Sequence, residues 1–271
     1  LTCKTIDAFY ADRRMKGKRY GGGLSSSTMG NLHRLLALLL KSAVKARLIA
    51  ASPIQDVQTK PKPKRKNIVI LDEAELAALL GHLHGGPSYL PALVSAYTGL
   101  RRGEICGLRW RDLDLKKATL QVSQQVQNIG GKLVTLIPKT DRSRRTIRLP
   151  ASLPPALKEH RKEQSTLRLQ LGLGKDPLDL VFTDPLGRQL DPDAFSKSFT
   201  AEAAAVKPVT FHALRHSHIT HMLRNGVPVH IVSARAGHSN PNITLSTYAH
   251  LLGGDDDRAA EQAEAMLKRL R

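Results

Sequence analysis

Arg101, Lys139, His212, Arg215, His238 and Tyr248 stand far apart in the chain, yet in order they make a set of cations, imidazoles and one phenol. Forked guanidiniums suit the nonbridging oxygens of a phosphodiester, where negative charge grows as phosphorus becomes pentacoordinate. Imidazoles and an ammonium can add hydrogen bonds or move protons. A phenol can attack once its proton, with an ordinary pKa of about 10, is removed. Such chemistry requires no metal, because side-chain cations fill that role, and no ATP, because a phosphotyrosyl bond conserves the energy for rejoining. Taken singly, each residue also has a plain reading: a lone tyrosine is more often half-buried packing than a nucleophile.

Three stretches carry five of the six. In TGLRRGEICGLRWRDLD, residues 98–114, Arg101 follows a glycine break at a helix start, where a guanidinium and free backbone N–H groups could meet a phosphate together. Glu104 shares its helical face and could hold it in place, although a surface salt bridge is the plainer reading of that pair. In PVTFHALRHSHITHMLRNG, residues 208–226, Thr210 reads as an N-cap and Gly226 as a stop, and His212 and Arg215, at i and i+3, project together. His212 and His216 are i and i+4, but no glutamate follows the first histidine as in a metalloprotease helix, and no thiol or carboxylate completes a shell. No metal is therefore expected, and His216, His218 and His221 read as capping, core or surface residues. In ARAGHSNPNITLSTYAHL, residues 234–251, Gly237 ends a helix and exposes His238 in a turn, with Tyr248 ten residues later.

Periodicity predicts the elements that must position these groups. Residues 2–15 read as a short helix with Ile6, Phe9 and Tyr10 on one side, followed by a flexible GGGLSSST stretch. Ser27 or Thr28 then caps a long helix that carries Leu32, Leu35, Leu36, Leu39, Ala43 and Val44 and ends near Leu48. QTKPKPKRKN, residues 58–67, alternates prolines with five basic residues, which favours an extended, solvated linker. The expected organisation is a helical domain at 1–60, a linker at 61–67 and a second domain at 68–271. In the latter, Asp72 caps a helix through Leu83, and residues 90–97 form an apolar helix that breaks at Thr98-Gly99. The period changes over 118–149, where ATLQVSQQVQ, KLVTLIP and TIRLP predict one three-stranded antiparallel unit with a turn at Gly130-Gly131. Helix resumes at Leu153 and closes the chain in a tail helix at 257–270, after an acidic GGDDD linker. Ala260, Ala263, Met266, Leu267 and Leu270 form its apolar stripe. The expected class is mostly α with a small antiparallel sheet.

With 271 residues and 41% hydrophobic content, the chain can build a core in each of two domains. Lys and Arg number 42 against 23 Asp and Glu, a formal charge of +19 that points to a polyanionic partner. Residues 1–67 hold 15 basic and 3 acidic side chains, a net of +12, so the first quarter carries most of the attraction. Aromatics are only 4%, which favours backbone contact with a duplex over a stacking platform for single strands. Lys60, Lys62, Lys64, Arg65 and Lys66 would follow that backbone, supplying affinity rather than sequence choice. Cys3 and Cys106 cannot make a disulfide framework or a four-cysteine zinc site, and suit a reducing cytoplasm. The longest apolar run, residues 35–40, is far too short for a bilayer and the start resembles no signal peptide, so a soluble cytoplasmic protein with no membrane partner is expected.

The T-G-x-R-x-x-E signature at 98–104, the H-x-x-R helix at 212–215, the G-H turn at 237–238 and the T-x-x-x-Y ending at Tyr248 together resemble the tyrosine recombinase, or phage integrase, family of site-specific DNA recombinases. Upstream, LSSST before a long helix and VKARLIAASPIQDV after it are similar to the family's core-binding domain. The resemblance implies an N-terminal helical, SAM-like core-binding domain joined to a mixed α+β catalytic domain, closing on duplex DNA as a C-shaped clamp. Carried over residue by residue, it implies that Arg101, His212, Arg215 and His238 surround the scissile phosphate, with Glu104 in support, and that Tyr248 attacks. PKTDRSRRTIRL resembles the family's β-hairpin and so makes Lys139 the catalytic lysine, able to protonate the departing 5′-oxygen. His212 could act as general base or by positioning. Ala236-Gly237-His238 stands where many relatives have Leu-Gly-His, a change in packing.

The resemblance further implies a 3′-phosphotyrosyl intermediate formed without cofactor, and strand exchange in a homotetramer joined through the C-terminal helix. It also implies a specific recombination site on duplex DNA, accessory DNA-bending or directionality proteins, and a nucleoid-associated enzyme in a bacterial host. Integration or excision of a phage or mobile element is the first choice, and the start at Leu1 suggests that an arm-binding domain is missing. The rivals are a type IB topoisomerase with a similar site, a DNA-binding relative without the reaction, and a metal-dependent nuclease, for which the carboxylate cluster is lacking.

Overall fold

The computed structural model describes residues 1–18, 21–62, 68–137, 144–249 and 255–268. The chain divides into two compact units, Leu1–Asn67 and Ile68–Arg271.

The first unit holds α1 (Cys3–Lys16), α2 (Ser26–Lys45) and a 3-10 turn at Pro53–Asp56. Ile6 and Tyr10 of α1 join Met29 and Leu40 of α2 and Ile54 and Val57 beyond it in one small apolar core. The buried Tyr10 hydroxyl is satisfied by Nδ1 of His33 at 2.8 Å. The cap of α2 is Ser25, whose Oγ accepts the Thr28 N–H, rather than Ser27 or Thr28. The reason is that the Leu24 N–H donates to Arg13 O at 2.9 Å and pins the incoming chain against α1, so the helix starts at once.

The second unit opens with α3 (Glu73–Leu83), whose capping box joins Asp72 and Glu75 as the sequence leads one to expect of the aspartate. α4 (Tyr89–Thr98) and the single-turn α5 (Arg102–Cys106) follow. The predicted three-stranded unit is two separate sheets. β1 (Leu113–Asp114), β2 (Thr119–Val122) and β5 (Arg145–Arg148) form one in the order β1-β2-β5, and β3 (Gln125–Ile129) pairs with β4 (Lys132–Leu136) alone. Two side chains break the long strand that alternation suggested. Ser123 Oγ donates to Asp112 Oδ2 at 2.8 Å, and Gln124 Nε2 donates to Gly107 O at 2.8 Å. They redirect the chain between β2 and β3, and β5 returns to pair with β2.

The remainder is helical: α6 (Leu153–Gln170), α7 (Pro192–Ala203), α8 (Phe211–Arg224), α9 (Val229–Ala236), α10 (Pro241–Tyr248) and α11 (Asp255–Lys268). Leu100 and Ile105, Leu120 and Ile147 of the sheet, Phe199 of α7 and Phe211 and Leu214 of α8 share the main core. Ile219, Leu223, Val232, Ala236 and Tyr248 form a second, smaller cluster beside it. The class is thus mostly α with small antiparallel sheets. Ala260, Ala263, Met266 and Leu267 of α11 are exposed, and Leu270 lies outside the described residues. Among the described residues no helix is long and apolar enough to cross a membrane.

Candidate active site

Two glycine turns organise the site. Gly99 closes α4 at φ 68° and Gly237 closes α9 at φ 67°, left-handed conformations that suit glycine. A Cβ would also collide at both, lying 2.7 Å from Cδ2 of His218 at position 99 and 2.6 Å from Nη1 of Arg145 at position 237. The two turns present carbonyls to two arginines. Arg215, on α8 and only 2% exposed, donates Nη1 to Gly99 O at 2.6 Å and Nη2 to Ala236 O at 2.8 Å. Arg101, the N-cap of α5, donates Nη2 to Gly237 O at 2.8 Å. Burial, followed by the charge of Arg101, brings the Arg215 pKa down to about 9, which leaves it a cation at neutral pH.

Glu104 holds Arg101 from below. Its carboxylate accepts the Arg101 backbone N–H at 2.8 Å and Nη1 at 3.0 Å. On its other side Arg145 of β5 donates Nη1 to Oε1 and Nη2 to Oε2, both at 2.9 Å, and gives Nε to Arg235 O at 2.7 Å. Both side chains of this fork are 7% exposed. The expected surface salt bridge is therefore half of a buried one. Burial alone would push the Glu104 carboxyl up, but the hydrogen bonds and charge of Arg145, with Arg101 behind them, override it and hold the group at about 2, against 4.5 for a free glutamate.

These shifts set a pH dependence. Burial first, and the charge of Arg215 or Arg235 second, hold His216, His218 and His238 at about 4 against an ordinary 6.5. Between those values the unfolded chain binds more protons than the fold, so stability is complete above pH 6.5 and is lost as pH falls toward 4. Glu104 adds a contribution present above 4.5 and lost toward 2, about 3 kcal/mol. Calorimetry from about pH 8 to about pH 3 should give a flat melting midpoint above neutrality and two overlapping falls below it. A midpoint unchanged down to about pH 4.5 would show that the histidines are not held neutral.

His238 follows Gly237, and its Nδ1 lies 2.7 Å from Oγ1 of Thr244, a fully buried residue one turn before Tyr248 on α10. Tyr248 is 1% exposed, within the smaller apolar cluster. Its hydroxyl lies 2.6 Å from Nδ1 of His216. Burial pushes the phenol up to about 12 although the charges of Arg215 and Arg101 pull it down. His212 is exposed and lines a cleft of about 490 Å3 with Arg101, Arg102 and Thr210. It meets His216 edge-on, with ring centroids 4.5 Å apart.

One network therefore joins Arg101, Glu104, His212, Arg215, His238 and Tyr248. Lys139 lies outside the described residues, as do Lys64, Arg65 and Lys66. Lys60 and Lys62, in the first unit, are exposed, and Lys60 Nζ donates to Gln55 O at 2.8 Å. Sequence reasoning missed Arg145, took Thr244 only as part of the T-x-x-x-Y spacing, and gave His216 no part in the site. Strand alternation held the signal for Arg145, which shares the face of buried Ile147, two residues on. Thr244 precedes Tyr248 by one helical turn. His216, read as a capping, core or surface residue, instead touches the phenol: α8 places it one turn after His212, on the side facing α10.

The sequence profile described as the phage integrase family matches residues 70–253. A tyrosine recombinase XerC-like protein of Caldanaerobacter subterraneus is 32% identical over 92% of this chain and 68% of its own length. The integrase of Mycobacterium phage L5 is 25% identical over 87% of this chain, which spans only 62% of that relative. Among solved structures, the Tn1549 transposon integrase in complex with a circular intermediate DNA superposes with a TM-score of 0.76 at 22% identity, covering 99% of this chain and 84% of its own. A lambda integrase dimer bound to a core site gives 0.57 at 16% identity, covering 91% and 79%. At those identities the two structures speak for the fold.

Proposed function

Because the chain belongs to the phage integrase family of tyrosine recombinases, we propose that it performs site-specific recombination by cutting and rejoining duplex DNA through Tyr248. The observation that carries this reading is the convergence of Arg101 and Arg215 on the carbonyls of Gly99, Ala236 and Gly237, with His238 in the next position. Their remaining N–H groups donate to the nonbridging oxygens as charge grows in the transition state. His238 adds a hydrogen bond from Nε2, the nitrogen that keeps its proton when the Thr244 hydroxyl donates to Nδ1. His212 contributes a second from the cleft wall. Attack leaves a 3′-phosphotyrosyl bond, and Lys139 gives the departing 5′-oxygen its proton. Incoming 5′-hydroxyl then reverses the step on a new strand, and no metal or nucleotide enters.

Strand exchange needs a partner duplex, and a homotetramer would supply it. The lambda integrase is known as a tetramer bound to a Holliday junction. In this chain the exposed Met266 and Leu267 of α11 offer the apolar contact for a neighbouring copy. A mobile-element integrase fits the relatives above better than a relaxing topoisomerase. Lys60, Lys62, Lys64, Arg65 and Lys66 then track the phosphate backbone.

The test is covalent capture. Incubation with a nicked duplex library of random sequence, followed by denaturing washes, should retain DNA; sequencing reads the preferred site and peptide mapping places the adduct on Tyr248. Exchange of strands between two captured duplexes separates a recombinase from a topoisomerase. Arg215→Lys keeps the charge but loses the fork, and should lower adduct formation by roughly 10²–10³-fold while duplex binding in gel shift changes little. Equal loss of both would make Arg215 an ordinary binding residue.

A further inference from the structure

The Tyr248 hydroxyl is buried, and a buried phenol needs a hydrogen-bond partner. The partner is Nδ1 of His216, at 2.6 Å. The direction of this bond follows from the surroundings. His216 packs against His212 one turn earlier and it is half-buried; burial first, then the charge of neighbouring Arg215, disfavour an imidazolium, and its pKa falls to about 4. The ring is thus neutral. The phenol, held up at about 12, keeps its proton. Tyr248 therefore donates and His216 accepts, with the ring proton on Nε2. His212 faces the cleft and stands one ring removed from the phenol.

We propose that His216, rather than His212, receives the Tyr248 proton when the hydroxyl attacks phosphorus. The inference rests on the recombinase reading above. In the step, the phenol O–H bond breaks and an Nδ1–H bond forms on His216. The freed oxygen pair makes the O–P bond, and the P–O bond to the departing 5′-oxygen breaks as that oxygen takes a proton from Lys139. Rejoining runs the same transfers backwards. At rest the transfer is strongly uphill, which keeps the nucleophile quiet. Two changes on DNA binding tilt it: the phosphate anion offsets the charges of Arg215 and Arg101 that disfavour a second positive ring, and the phenol oxygen loses its basicity as it bonds to phosphorus.

The discriminating variant is His216→Gln, which keeps an acceptor within reach of the hydroxyl but cannot carry the proton. Single-turnover adduct formation on the captured site should fall by about 10²–10⁴-fold, with melting midpoint and duplex affinity kept. The residual rate should climb about tenfold per pH unit above neutrality, as hydroxide replaces the base. His216→Ala, which opens space, should regain rate with added imidazole. If His216→Gln cleaves within about threefold of wild type, or its pH profile matches wild type, His216 is not the base although the recombinase reading stands. If wild-type protein captures no DNA, that reading falls and this one with it.

Discussion

Tyr248→Phe should abolish covalent capture of DNA, with a loss on the order of 10⁶-fold, the scale on which removal of a nucleophile acts in other covalent enzymes. The substitution takes away one oxygen and leaves the ring. Tyr248 packs with Ile219, Leu223, Val232 and Ala236, and those contacts are kept. The cost to the fold is the bond to Nδ1 of His216, about 1 kcal/mol. Duplex affinity should hold, since the cations proposed to bind phosphate are untouched. The measurement is capture on the selected duplex beside a gel shift with the same DNA. Any adduct formed by the phenylalanine protein would sink the nucleophile assignment, because among the described residues no second tyrosine belongs to the network.

Arg145→Met should unfold the second unit more readily than any change at its surface. The substitution leaves the Glu104 carboxylate buried with Arg101 alone, and removing one partner of a buried ion pair costs about 3–5 kcal/mol. For a unit of this size the melting midpoint should fall by roughly 10 °C. Removing both partners with Arg145→Met and Glu104→Gln should restore part of that loss, since the remaining group is neutral. Cleavage should fall even at temperatures where the single variant is folded, because Glu104 also seats Arg101. A midpoint lowered by less than about 2 °C would mean that the clamp contributes little.

The legible part of this protein was what depends on one element at a time. Asp72 announces a helix start; Gly99 and Gly237 announce stops; His212 and Arg215 share a helical face. The order of Arg101, His212, Arg215, His238 and Tyr248 carried the rest, through resemblance. The strands were read with the right residues and the wrong partners, because alternation says which face a side chain takes but not which strand comes alongside. Ser123 and Gln124 decide that with two side-chain hydrogen bonds, and neither is remarkable in the sequence.

The parts that Arg145 and His216 play went unread for a related reason. Both sit among like residues, with Arg144 and Arg148 near Arg145 and His218 and His221 after His216. Through resemblance the sequence by itself pointed to the family and to the residues proposed to hold a phosphate and attack it, and it also determined the helical class and the basic charge. The class and the charge follow from residue type and from spacing along single elements. Only the tertiary structure decided what each group touches: Arg215 on the carbonyls of Gly99 and Ala236, Glu104 between Arg101 and Arg145, and the phenol of Tyr248 on His216 rather than His212. Such pairings join side chains from separate elements, and both their burial and the pKa shifts it causes exist only once those elements have packed.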